Sequence, residues 1–215
     1  MPPRAARSEI TVNDPSPRRT YLDVDDRRRQ LLDAAVEVMV HDGVAALSLR
    51  SVAQRAGVAH RVVSYAFGSK ADLVTALLER ESGLLTRRLW AEPLAPLPLG
   101  DAVAAALHTF VAELRRERVR HERLAELTAM ARSSEALAGA ARAETEAVRG
   151  EIERLVEAWI ASRGGVLTAP TATLVAVVHA AAEGLAAWWL ATGDDDHVDD
   201  VIRVFAAGLA AFERA

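Results

Sequence analysis

The chain has no cysteine among its 215 residues. Disulfides, thiol redox sensing and cysteine-ligated metal are therefore excluded. Its six histidines are scattered without the spacing of a metal site. It has no glycine-rich phosphate loop, no His-Glu-x-x-His zinc motif and no nucleophile elbow. Neither an enzyme nor a cofactor is expected. No strand-like alternation and no repeat of solenoid length stand out. The N-terminus lacks a signal-like apolar stretch, and no apolar run is read as near bilayer-spanning length. The expectation is a soluble, cytoplasmic protein with no membrane partner. Lysine occurs once, at Lys70; every other member of the 26 Lys and Arg is arginine.

What remains is rich in Ala, Leu, Glu and Arg, all good helix formers, and 51% of the chain is hydrophobic. That is enough for a sizeable core in one or two domains. The net charge of −4 is unevenly spread. Residues 1–80 hold 12 basic and 10 acidic residues, giving +2, and residues 81–215 hold 14 and 20, giving −6. An acidic body can still dock on DNA if one face is locally basic.

Residues 48–67 carry the sharpest signal. Ser48 is placed to cap a short helix whose apolar face is Val52, Ala53 and Ala56. Gly57 breaks it where a left-handed residue costs little. A second short helix turns Val62, Val63 and Phe67 inward and leaves His60, Arg61, Ser64 and Tyr65 outside. Two short helices across a glycine turn make a helix-turn-helix, whose second helix enters a DNA major groove.

Val52-Ala-Gln-Arg-Ala-Gly-Val58, followed by Phe67-Gly-Ser-Lys-Ala-Asp-Leu73, resembles the N-terminal domain of the tetracycline-repressor (TetR) family. The resemblance spans about residues 26–80. It departs from the family pattern at Ala59, where Ser or Thr is usual, and at Ser64 and Ala66, where aromatic or His residues are usual. An aromatic stands instead at Tyr65.

Arg61 is the first candidate for a base contact, because a guanidinium pairs bidentately with guanine, and His60 is the second. Arg50, Tyr65 and Lys70 are candidate phosphate contacts, and Ser48 and Ser64 complete the DNA-facing set. Arg27, Arg28 and Arg29 read as a solvated face or as lying on the DNA side.

Outside this motif, Pro2, Pro3, Pro15 and Pro17 mark residues 1–22 as a disordered arm. Helical spacing predicts a bracing helix over about 25–42 and a fourth helix over 71–90. Pro93, Pro96, Pro98 and Gly100 make a hinge. Further helices are expected at about 101–118, 121–132, 135–163, 169–192 and 197–213. Asp101 is the expected cap of the first of these. The fold class is all-α: an N-terminal three-helix DNA-binding domain over 23–80 and a helical ligand-binding and dimerisation domain over 81–215.

One such motif binds specific DNA weakly, so two should act together. Leu174, Val177, Val178, Ala181, Leu185, Trp188 and Trp189 form one apolar stripe, and Ile202, Phe205, Ala206, Leu209 and Phe212 form another. Paired across two copies, they would make the four-helix bundle that the resemblance also implies, although part of each stripe must serve the chain's own core. Gly184 in mid-helix is explained by a close helix approach.

The resemblance further implies a small-molecule effector, of unknown identity, held among helices 101–192. Phe110, Leu114, Leu127, Met130, Trp159 and Trp188 are the apolar candidates, and His108, His179 and Glu183 the polar ones. His179 and Glu183 stand i,i+4 and equally fit a simple pair on one helix face. Glu144, Glu151 and Glu157 alternate with arginines as on a solvated face.

The function expected is that of a ligand-responsive repressor, a homodimer on a near-palindromic double-stranded DNA operator. The rival reading, motivated by Ala59, Ser64 and Ala66, is a ligand-binding or scaffold protein whose helix-turn-helix has lost DNA binding.

Overall fold

The computed structural model describes residues 23–89, 97–163 and 166–214. The expected arm over 1–22, the Gly164–Gly165 break and most of the proline hinge lie outside them. Nine α-helices make up almost all of what is described: α1 Val24–Asp42, α2 Leu49–Arg55, α3 His60–Phe67, α4 Lys70–Leu89, α5 Leu99–Arg116, α6 Arg118–Ser133, α7 Ala138–Arg163, α8 Thr171–Thr192 and α9 Val198–Ala210.

The start signals act as the sequence predicts in the first part of the chain. Asp23 caps α1 by accepting from the Val24 amide, and Asp25 and Asp26 place negative charge in its first turn. Gly57 takes a left-handed φ of 66° between α2 and α3. No side chain in the turn could adopt this without strain.

α5 departs from expectation. It starts at Leu99 rather than Asp101, and no local side chain caps it. The Leu99 amide instead donates to Glu213 Oε2 at 2.8 Å. A two-residue antiparallel pairing, β1 Val166–Leu167 with β2 Glu213–Arg214, brings Glu213 there. For the same reason α9 stops at Ala210 instead of running to 213. Gly100 lies so close to α9 that a Cβ there would sit 2.9 Å from the Ala206 carbonyl oxygen. α5 and α9 therefore touch backbone to backbone.

Two buried clusters divide the molecule. The first joins α1, α2, α3 and the early part of α4 through Leu31, Met39, Leu47, Val63, Leu73 and Leu77. It continues into Leu127 and Ala131 of α6 and Ala140 and Ala141 of α7. Truncating a leucine in such a core costs about 2–5 kcal/mol. The second cluster joins α5, the later part of α7, α8 and α9.

α8 corrects three expectations. It is a helix long and apolar enough to cross a membrane by length and composition, contrary to the reading of the sequence. Leu174, Val178, Ala181, Leu185 and Trp189 are buried in the chain's own core, as are Ile202, Ala206 and Leu209 of α9. Those stripes are thus largely intramolecular. Gly184 has no close neighbour: a Cβ built there meets nothing within 4 Å.

Candidate nucleic-acid interface and cavity

α3 is held from three sides. Val63 and Phe67 bury its inner face. The Ser48–Ser51 capping box fixes α2 beneath it: Ser48 Oγ accepts from the Ser51 amide at 3.1 Å, and Ser51 Oγ accepts from the Ser48 amide at 3.0 Å. A serine thus takes the place usually held by Glu or Gln. Arg55 ties α2 to α1 through Asp42 at 2.7 Å. Arg28 was read as solvated or DNA-facing. In the structure it donates to the Ala66 carbonyl at 2.7 Å and stacks over the Phe67 ring at 4.7 Å. It closes the C-terminal end of α3, where a cation complements the helix dipole.

The candidate DNA-facing residues share this surface. Arg50, His60, Arg61 and Lys70 are exposed, and Tyr65 is 92% exposed. A phenol so open to water has no packing role in the protomer. Arg50, Arg61 and Lys70 form no ion pair among the described residues. Their charge is available to a partner. Ser48 is committed to the cap, and the half-buried Ser64 hydroxyl lies 3.3 Å from His60 Nδ1. Ala59 makes no side-chain cap at the start of α3.

The second feature is a partly open cavity of about 590 Å³ bounded by α4, α5, α6, α7 and α8. This volume suits a drug-sized molecule. Of the residues expected around a ligand, Phe110, Leu114, His179 and Glu183 line it. Leu127 and Met130 belong to the first cluster. Trp159 and Trp188 pack in the second, the indole of Trp159 donating to the Leu97 carbonyl at 2.9 Å. His108 sits outside the cavity, half-exposed, 3.6 Å from Asp199. His179 Nε2 and Glu183 Oε1 are 3.7 Å apart, so the i,i+4 pair and the cavity wall coexist.

Beyond His179 and Glu183, the cavity has polar groups that the sequence does not reveal. Glu81 on α4 is 6% exposed and meets Arg80 and Arg120, with Arg120 Nε 2.7 Å away. Arg80 continues to Asp33 on α1 at 2.8 Å. One ionic chain therefore runs from α1 through α4 to α6.

Glu144, read as part of a solvated face, is half-buried on the cavity wall. Its two oxygens accept from Ser82 on α4 and Thr128 on α6, each at 3.3 Å. Burial pushes its carboxyl above the ordinary glutamate value, against the weaker pull of the two hydroxyls. Burial likewise holds the cavity's His121 below the ordinary histidine value. No periodicity distinguishes Glu144 from its solvated neighbours, because its partners lie 62 and 16 residues away.

A raised carboxyl pKa means that the fold favours protonated Glu144. That stability is complete at low pH and is lost as pH rises through the raised value. Glu144→Gln should therefore melt higher than the parent at neutral and alkaline pH. The difference should vanish below the ordinary glutamate range. Calorimetric melts across pH measure this, and equal melting at pH 8 would contradict it.

The described chain is all-α, with a braced helix-turn-helix in its first part and a cavity among five helices in its second. Residues 31–77 match the family model for bacterial regulatory proteins of the tetR family. The chain is 46% identical over 56 residues to the transcriptional activator FasR of Mycolicibacterium smegmatis, covering 26% of each protein. It is 39% identical over 64 residues to the regulator BetI of Paraburkholderia phytofirmans, covering 30% of this chain and 31% of BetI. The chain thus matches under a third of the length of these curated relatives.

Solved structures match further. The multidrug binding protein EbrR, complexed with imidazole, superposes over 88% of this chain and 96% of its own at TM-score 0.63 and 26% identity. SmeT in a triclosan complex does so over 88% and 92% at TM-score 0.62 and 19% identity. The tetR match thus covers the helix-turn-helix part, residues 31–77, and the rest of the chain shares the fold of these solved structures.

Proposed function

We propose that the protein is a transcription regulator that binds a near-palindromic operator as a homodimer and is released by a small molecule in its cavity. It would act in the cytoplasm. The observation that carries this reading is the position of α4. Lys70 starts it beside the recognition helix, and Leu78, Glu81, Ser82, Leu84 and Leu85 further along it line the cavity. A ligand that favours one setting of α4 shifts the separation of the two recognition helices. The small molecules bound by EbrR and SmeT support the effector part of the reading. The division of labour would fall near residue 80, with DNA binding before it and effector binding and dimerisation after it.

The dimer surface would be the part of α8 and α9 that the chain leaves uncovered. Only 28% of the apolar stretch of α8 is buried. Ala176 and Val177 face outward on α8, and Val204 and Phe205 do so on α9. Small residues let two helices approach closely, so a second copy fits this face.

The test is selection of random duplexes on the purified protein. The expected product is an inverted repeat whose half-sites are spaced by about one helical turn, 10–10.5 bp, or its multiples. Salt-sensitive binding with no enriched sequence would overturn the operator reading. Lys70→Ala should weaken all duplexes alike and lower the salt slope by about one unit. A loss confined to some sequences would place Lys70 at a base instead.

A further inference from the structure

We propose that the cavity takes an apolar cation and that Glu144 is its counter-ion. The inference rests on reading the cavity as the effector site, and it fixes the charge of that effector.

The charged groups on the cavity wall are nearly all satisfied within the chain. Glu81 is held by Arg80 and Arg120. Glu113 and Glu117 both reach Arg116, Glu117 at 3.2 Å. Glu183 lies between His179 at 3.7 Å and Arg132 at 4.0 Å. Both arginines on the wall, Arg120 and Arg132, thus already face a carboxylate. An incoming anion would have to displace one.

Glu144 is the exception. It forms no ion pair within 4.0 Å among the described residues: Arg132 attracts it only weakly from further off, Glu183 opposes that, and its hydrogen-bond partners are two neutral hydroxyls at 3.3 Å, a long separation for hydrogen bonds between oxygens. Phe110, Leu107, Leu114, Val148, Ile152 and Val178 surround the space with apolar surface. A buried ionised carboxylate without a cation is costly, and the same low-polarity setting makes a cation that arrives there well held. His121 fills that role poorly, because burial disfavours its charged form.

Glu144 also lies where binding can be sensed. One oxygen meets Ser82 on α4 and the other Thr128 on α6. A cation drawing the carboxylate into the cavity loosens its hold on α4.

Two rigid probes of matched bulk, tetraphenylphosphonium and tetraphenylborate, separate charge from shape, with the smaller neutral triphenylphosphine oxide as reference, each titrated calorimetrically into the intact protein. The phosphonium should bind about tenfold or more tighter than the oxide, with the borate weakest. Glu144→Gln should remove about tenfold of phosphonium affinity and leave the oxide unchanged. Glu144→Asp, which keeps the charge, should retain the preference.

If none of the probes binds, the effector reading of the cavity falls, and the proposal with it. If the oxide or the borate binds as tightly as the phosphonium, the cavity stands as a ligand site and the cation assignment is overturned. Retention of the full phosphonium preference by Glu144→Gln overturns Glu144 as the counter-ion.

Discussion

Val204→Arg should leave the protomer folded, yield a monomer in sedimentation, and lower operator affinity by about 10²–10⁴-fold. Val204 is 69% exposed, so an arginine there costs the isolated chain little. In a dimer through α8 and α9, the same guanidinium would be buried against apolar side chains without a partner, which is unfavourable. The loss of DNA binding follows because two linked half-sites reinforce one another by about that factor. Leu185→Arg makes the contrast. Leu185 is 1% exposed inside the protomer, so the charge should unfold the chain rather than separate two chains. Circular dichroism distinguishes the two outcomes. A Val204→Arg protein that remains a dimer would place the interface on another face.

Arg61→Ala should cost about 1–3 kcal/mol on the selected operator and relax preference at one base pair in each half-site. Arg61 is exposed on the outer face of α3 and makes no ion pair among the described residues, so removing it disturbs nothing in the protomer. The effect is confined to the complex. A thermal melt should be unchanged, while competition binding against single-base variants should flatten at one position. Intact affinity and an intact base profile would move the base contact to His60 or Tyr65.

The legible part of this fold is the part whose causes are local. Ser48, Gly57 and the apolar spacing of Val52, Val63 and Phe67 place α2 and α3 because each acts within a turn or two of its own position. The helices of the second part are also found close to where propensity and breakers put them. What escaped the sequence reading depends on distant partners. Arg28 looks like any basic residue on a solvated face until α3 returns 38 residues later to offer the Ala66 carbonyl. Glu144 shares its pattern with Glu157, which is exposed; only the packing of α4 and α6 distinguishes them. Leu185 reads as part of a dimer-forming stripe but lies in the protomer's own core, because both places demand an apolar side chain.

The tie between Leu99 and Glu213 spans 114 residues, and this sets an order on the nascent chain. The first buried cluster reaches no further along the sequence than Ala141, so it can close while synthesis continues. The second needs Leu209, and the first amide of α5 waits for Glu213. Contacts of such long separation form slowly. During translation the helix-turn-helix would therefore be assembled first, while the half-made cavity still exposed its apolar walls to the cell.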